Sequence, residues 1–269
     1  VEAAVQNGAD AVYFGYGAFN ARRNAKNFTP EQAAQAVSYC HLRGVKVHLT
    51  LNTLLTDREL PLAAQLAAQA SDMGVDALIV QDLGVVRMLK QAAPDLPLHA
   101  STQMSVHSLD GVKRCADLGF QRVVLSRELS RDQIEYICAR SPVEIETFAH
   151  GALCMCYSGQ CYFSAVIGER SGNRGLCAQP CRLKYGWGNK ADGYPLSLKD
   201  ASMVEHLREL KKMGVACLKL EGRMKRPEYV AVVTRIYANA IKAGAGLLPP
   251  GVYRRLLYGP EGPSDVRGA

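Results

Sequence analysis

No stretch of the 269-residue chain approaches the ~20 uninterrupted apolar positions that a membrane-spanning helix needs. Glycine recurs without a three-residue period, which excludes a collagen-like chain. Several catalytic signatures are missing as well. There is no Gly-x-Gly-x-x-Gly turn of a dinucleotide fold, no His-Glu-x-x-His helix of a zinc protease and no Gly-x-Ser-x-Gly elbow of a serine hydrolase. Nor does a methionine, a basic leader or an apolar signal segment stand at the start, where helical periodicity is already running through Val1, Ala4 and Val5. The expectation is a truncated chain whose first strand lies upstream. Residues 244–269, rich in Gly and Pro, read as a tail or the start of a linker.

What is present is an apolar fraction of 48% with 21% charged residues. That is too apolar for disorder and enough for one sizeable core. The net charge of +7 is unevenly spread: residues 1–150 hold 14 Lys/Arg against 16 Asp/Glu, and residues 151–269 hold 18 against 9. A positive field confined to one half suits a polyanionic partner, with a solvated basic surface as the competing reading.

Apolar strand-like runs alternate with helical stretches. The runs are Ala9–Gly15, Val45–Asn52, Ala77–Asp82, Leu96–Thr102, Arg122–Glu128, Val143–Ala149, Tyr194–Lys199 and Ala216–Glu221. Thr29-Pro30-Glu31 and Ser130-Arg131-Asp132 place a capping residue before an acidic first turn, and Gly214 follows a helical pattern as a C-terminal cap does. About eight βα units imply parallel strands with right-handed crossovers, hence an α/β fold of the (β/α)8 TIM-barrel-like type over residues 1–243. An open doubly wound sheet is the alternative, weakened by the missing glycine turn.

Strand parity adds a second layer. Val47, Leu49 and Leu51 share one face of their run, while His48, Thr50 and Asn52 share the other. His99, Ser101 and Gln103 form a polar set, as do Glu144, Glu146 and His150 together with Phe148, and Cys217, Lys219 and Glu221. Apolar faces pack beneath helices, so these polar faces point into the barrel. Buried charges are costly unless paired or solvated, so their convergence predicts either a functional cavity or a structural ion-pair network. Glu144, Glu146, His48, His99 and Glu221 are the candidates for proton transfer there.

Residues 150–193 break the rhythm. Irregular segments of this length inside compact domains are usually functional, and this one follows the sixth run, on the catalytic face of a barrel. It holds five of nine cysteines: Cys154, Cys156, Cys161, Cys177 and Cys181. The remaining four, Cys40, Cys115, Cys138 and Cys217, occur singly and read as core thiols. An odd count in a long chain fits a secreted disulfide framework poorly. The spacing Cys154-x6-Cys161-x15-Cys177-x3-Cys181 is not that of paired zinc hairpins. It leaves an iron–sulfur cluster, zinc, and redox or structural thiols open, with Cys156 spare. Around the loop, Arg170, Arg174, Arg182, Lys184, Arg223, Lys225 and Arg226 are candidates for phosphate contact, and Tyr157, Tyr162, Phe163 and Trp187 for stacking on an extruded base.

Four segments carry a family resemblance. Glu146-Thr-Phe148-Ala-His-Gly151-Ala-Leu-Cys154 with Gly159-Gln-Cys161-Tyr-Phe-Ser164 resembles the signature of the collagenase-like peptidases, a family named among the unclassified peptidases. The opening Val1–Gly15, the stretch Gly175-Leu-Cys177-Ala-Gln-Pro-Cys181-Arg182 and the stretch Leu218-Lys-Leu-Glu221-Gly222-Arg223-Met-Lys225 are similar to the same family. The resemblance implies a [4Fe–4S] cluster on Cys154, Cys161, Cys177 and Cys181, and an upstream opening strand, which would make Tyr194–Lys199 accessory. It further implies one of several roles. They are oxygen-independent hydroxylation of a base in ribosomal or transfer RNA (a 5-hydroxycytidine or 5-hydroxyuridine product) with prephenate required, hydroxylation of a ubiquinone precursor, or the peptidase activity of the family name. A non-catalytic iron–sulfur subunit serving an electron-transfer partner is a further reading, and the setting it implies is cytoplasmic. A cysteine protease would have to pair Cys161 with His99 or His150, and a metal-bound thiolate is no free nucleophile.

Overall fold

Thr29 starts the first long helix as its sequence predicts. Its side chain accepts from the Gln32 backbone while the Gln32 side chain accepts from the Thr29 backbone, a complete capping box. Ser130 and Gln133 repeat the arrangement at another helix, and Gly214 ends a third in the left-handed conformation (φ +90°). The computed structural model describes residues 1–21, 27–186, 188, 193–222 and 225–244. Arg223, Trp187 and the stretch 245–269 lie outside the described residues.

The strands are β1 (Ala11–Gly15), β2 (Lys46–Leu51), β3 (Ala77–Val80), β4 (Leu98–Ala100), β5 (Arg122–Val124), β6 (Glu144–Gly151), β7 (Ala201–Ser202) and β8 (Cys217–Leu220). The helices are α1 (Glu2–Val5), α2 (Pro30–His41), α3 (Leu60–Asp72), α4 (Leu83–Ala92), α5 (Leu109–Asp117), α6 (Arg131–Cys138), α7 (Phe163–Gly168), α8 (Leu207–Met213) and α9 (Pro227–Lys242). β1 to β6 lie side by side in chain order, all parallel, and β8 adds parallel to β6. The sheet curls: β1 and β8 are at its opposite ends, yet the Tyr13 hydroxyl donates to the Leu220 carbonyl at 3.5 Å. Among the described residues no ladder joins β1 to β8, so the TIM-barrel-like wall is open there.

One expected strand is not formed. Tyr194–Lys199 contains Pro195, which has no N–H to give to a ladder, and the Ser197 N–H bonds the Tyr194 carbonyl in a turn. The strand in this region is instead the short β7, antiparallel to the end of β6 through Ser202 and Ala201.

The apolar faces pack as their parity predicts. Val47, Leu49 and Leu51 of β2 are buried with Ala33, Val37 and Cys40 of α2 and Val85, Val86 and Leu89 of α4 in one core. Each fully buried Val or Leu contributes roughly 1.5–3 kcal/mol. A second, smaller core gathers Ala149, Leu207, Val233 and Tyr237 around β6 and α9. No helix among the described residues is long and apolar enough to cross a membrane.

Candidate functional site

Inside the barrel the polar parity set meets as a charge network. Glu146, buried on β6, accepts from the Lys219 ammonium at 2.6 Å and pairs with Arg122 at 3.2 Å. Burial alone would raise its carboxyl, but the Lys219 charge and hydrogen bond and the Arg122 charge outweigh it and hold the pKa at about 2. His48 and His99 sit beside them, rings edge-on with centroids 4.7 Å apart. Burial holds both imidazoles neutral, lowering His48 to about 4 and His99 to about 3. The Lys219 ammonium also lies 4.2 Å from the Tyr13 ring centroid. A cavity of about 1260 Å³, bounded by β1, β8, α1 and α9, reaches Glu146, Lys219, His48 and Arg122 from the open side of the wall.

Glu144 and Glu221 occupy different ends. Glu144 is the first residue of β6, exposed at the N-terminal mouth and gripped by Arg122 at 2.7 and 2.8 Å. Alternation sorts side chains inward or outward, but not between mouths, so parity did not distinguish Glu144 from Glu146. Glu221 follows β8 at the C-terminal mouth, buried and 3.7 Å from Arg127. Gly151 makes room for it: a Cβ there would stand 2.6 Å from the Glu221 Cβ, and its φ is +121°. His150 departs from the expected face. A register irregularity between Phe148 and His150 turns it to α9, where the Tyr237 hydroxyl lies 3.4 Å from Nδ1 and the Tyr229 ring 5.9 Å away.

The cysteine loop sits on the C-terminal mouth, as a segment following β6 must. The Ser158 N–H and hydroxyl donate to Glu128 at 2.8 and 2.9 Å, and the Gln160 amide donates to the Ser105 hydroxyl at 3.1 Å. Arg127 donates to the Ala152 carbonyl at 2.7 Å while its guanidinium stacks 3.8 Å from the Phe148 ring centroid. All nine cysteines are free thiols. Burial raises the Cys181 thiol, the neighbouring Arg182 charge offsets part of that, and charge on Cys177, Cys154 and Cys161 would add smaller raising contributions. Cys156 is raised by burial and then by the charge of nearby Cys161. The Gln179 N–H donates to Cys177 Sγ at 3.3 Å, with the Ser164 hydroxyl at 3.8 Å. Among the described residues no three His, Cys, Asp or Glu side chains are spaced to hold a single metal ion. Away from the loop, burial lifts Cys115 and Cys138 to about 11 and Cys217 to about 12, which keeps those thiols protonated.

The basic candidates divide. Arg170, Lys184, Lys225 and Arg226 are exposed, with Arg170 touching the Leu176 carbonyl and Lys225 lying 3.6 Å from Asp200. Arg174 is bound to Glu59 and donates to the Leu54 carbonyl at 2.9 Å, and Arg182 is likewise engaged within the chain. Tyr157 and Tyr162 are exposed, whereas Phe163 stacks on Tyr185.

Peptidase family U32 matches residues 1–246. The chain belongs to that family. It is 42% identical over 246 residues to the 23S rRNA 5-hydroxycytidine synthase of Escherichia coli, a match covering 89% of this chain and 37% of that one. It is 34% identical over 252 residues to a tRNA hydroxylation protein of Bacillus subtilis, covering 89% and 60%. It is 37% identical over 264 residues to a protein named collagenase in Porphyromonas gingivalis, covering 90% and 62%. The chain thus spans 37 to 62% of the length of these relatives.

In this U32 chain neither His99 nor His150 has a cysteine among its hydrogen-bond partners in the described residues. The site instead depends on how the loop is seated. Gly159 lies against β4's exit with φ +74°, and a Cβ there would stand 2.1 Å from the Gln103 carbonyl oxygen. Gly159→Ala therefore lifts the loop from the barrel. The left-handed backbone alone costs about 1–2 kcal/mol for a residue bearing a Cβ. Limited proteolysis is expected to cut the 150–193 loop faster in this variant while the barrel's Tm holds. Unchanged cleavage would mean the loop does not rest there.

Proposed function

We infer that this chain carries out iron–sulfur-dependent, O2-independent hydroxylation of a pyrimidine base in ribosomal or transfer RNA. What supports the reading is the loop that carries the thiols: Cys154, Cys161, Cys177 and Cys181, all free, belong to the segment that follows β6 at the C-terminal end of a charged barrel. Relatives named for 5-hydroxycytidine synthesis and tRNA hydroxylation support the substrate class. The donor set fits a cluster chemically, being four unpaired thiols with an N–H donor already aimed at Cys177. A cluster bound there supplies a redox-active, Lewis-acidic centre.

The chain's own residues provide the rest. Arg170, Lys184 and Arg226 offer exposed charge to phosphates, and Tyr157 and Tyr162 offer ring faces to an unstacked base. In this reading Glu221, buried at the same mouth beside Arg127, takes the proton, while Glu146 stays ionised and His48 and His99 neutral in the interior. Replacing a ring C–H by C–OH is a two-electron oxidation that also needs an oxygen donor. Prephenate is the co-reactant the family resemblance implies.

Nucleoside mass spectrometry of ribosomal and transfer RNA from a deletion strain tests this. Loss of a 5-hydroxypyrimidine, restored by the wild-type gene, is the expected result. An unchanged nucleoside profile alongside a lost quinone or lost peptide cleavage would assign the chain to one of those other activities.

A further inference from the structure

Arg182 was a candidate phosphate contact on sequence grounds, yet its guanidinium is already occupied. It donates to the Leu153 carbonyl at 2.6 Å, to the Ser197 hydroxyl at 3.0 Å and to the Leu198 carbonyl. These acceptors mark the entry and the exit of the cysteine loop. Leu153 immediately precedes Cys154, and Arg182 immediately follows Cys181. The carbonyls of an irregular loop have no ladder partners and need donors from elsewhere. A planar guanidinium with five N–H groups is suited to collecting several at once, which an ammonium is not. Arg127 does the same one residue earlier, on the Ala152 carbonyl, so two guanidiniums hold consecutive carbonyls ahead of Cys154. Moving Arg182 to a phosphate would leave three acceptors without it. Arg170 and Lys184, exposed on the same loop, are less engaged, Arg170 holding the single carbonyl of Leu176.

We propose that Arg182 is a positioning residue for the thiol site, a clasp that draws the Cys154 and Cys181 segments into one place, and that it does not contact RNA. The inference deepens the thiol-site reading above and rests on it for its function, but the proximity it claims exists in the metal-free chain too. The experiment therefore uses the full metal-free protein, treated with a short bis-maleimide, with linked peptides mapped by mass spectrometry. Wild-type protein is expected to give a Cys154–Cys181 link. Arg182→Met is expected to lose it, and Arg182→Lys, which keeps charge but not the fork, to retain only part. RNA affinity and its salt slope are measured on the same variants, because a lost phosphate contact lowers that slope by about one.

A link retained in Arg182→Met overturns the proposal, and a reduced salt slope with the link retained assigns Arg182 to RNA. Loss of the link supports the clasp whatever happens to RNA affinity. Should the wild-type chain link normally yet bind no iron, the cluster reading falls and the clasp stands.

Discussion

Glu146→Ala is expected to lower unfolding stability at neutral pH by about 3–5 kcal/mol, because it strands the Lys219 ammonium in the barrel interior and leaves Arg122 with Glu144 alone. Linkage gives a similar size. A carboxyl held at about 2 when folded, against its ordinary range when unfolded, corresponds to roughly 3 kcal/mol. The folded pKa is depressed, so this stability is complete above about pH 5 and drains as pH falls toward 2. His48 and His99 act in the same direction. Unfolded imidazoles take up protons near 6.5, but these two do so only at about 4 and about 3, so acid favours the unfolded chain between those values. Urea unfolding of both proteins at neutral pH and near pH 4.5 checks the claim. Both proteins should lose stability over that interval through the two imidazoles, and the gap between them should close only as the pH is taken well below 4.5 toward 2. A neutral-pH difference under about 1 kcal/mol would mean that water reaches the network and screens it.

Cys161→Ser and Cys177→Ser are each expected to abolish cluster binding and reduce RNA hydroxylation to background, with the barrel still folded. Both residues lie in the loop, outside the two apolar cores. Serine keeps the size of cysteine but is a poor ligand for soft metals. Cys115→Ser is the contrasting variant. Cys115 is buried in the main core, with its thiol pushed up to about 11. Its replacement costs ~1–3 kcal/mol for burying a hydroxyl, yet spares iron content and activity. Iron analysis of the three variants decides between the alternatives. Equal losses from all three would remove the loop as the ligand set.

The βα rhythm was legible because local chemistry writes it: Thr29 and Ser130 carry their own caps, and the β2 alternation places Val47 and Leu49 under helices. The same alternation put His48, His99, Glu146 and Lys219 inside, where they meet. What local pattern does not carry is a partner distant in sequence. Tyr194–Lys199 has strand-like residues, but Pro195 and the Ser197 turn decide its course. His150 has inward parity, but one irregularity in β6 pairing sends it to Tyr237. Arg174 and Arg182 look like free surface charges until Glu59, Leu153 and Leu198 come to meet them. Arg127 gave no spacing signal, since its partners Ala152, Phe148 and Glu221 come together only in the folded chain.

Iron and acid-labile sulfide content of the anaerobically purified chain bears most directly on all of this. About four iron and four sulfide per chain, with broad absorption near ~400 nm, is the expected result. One zinc per chain with no sulfide would contradict it.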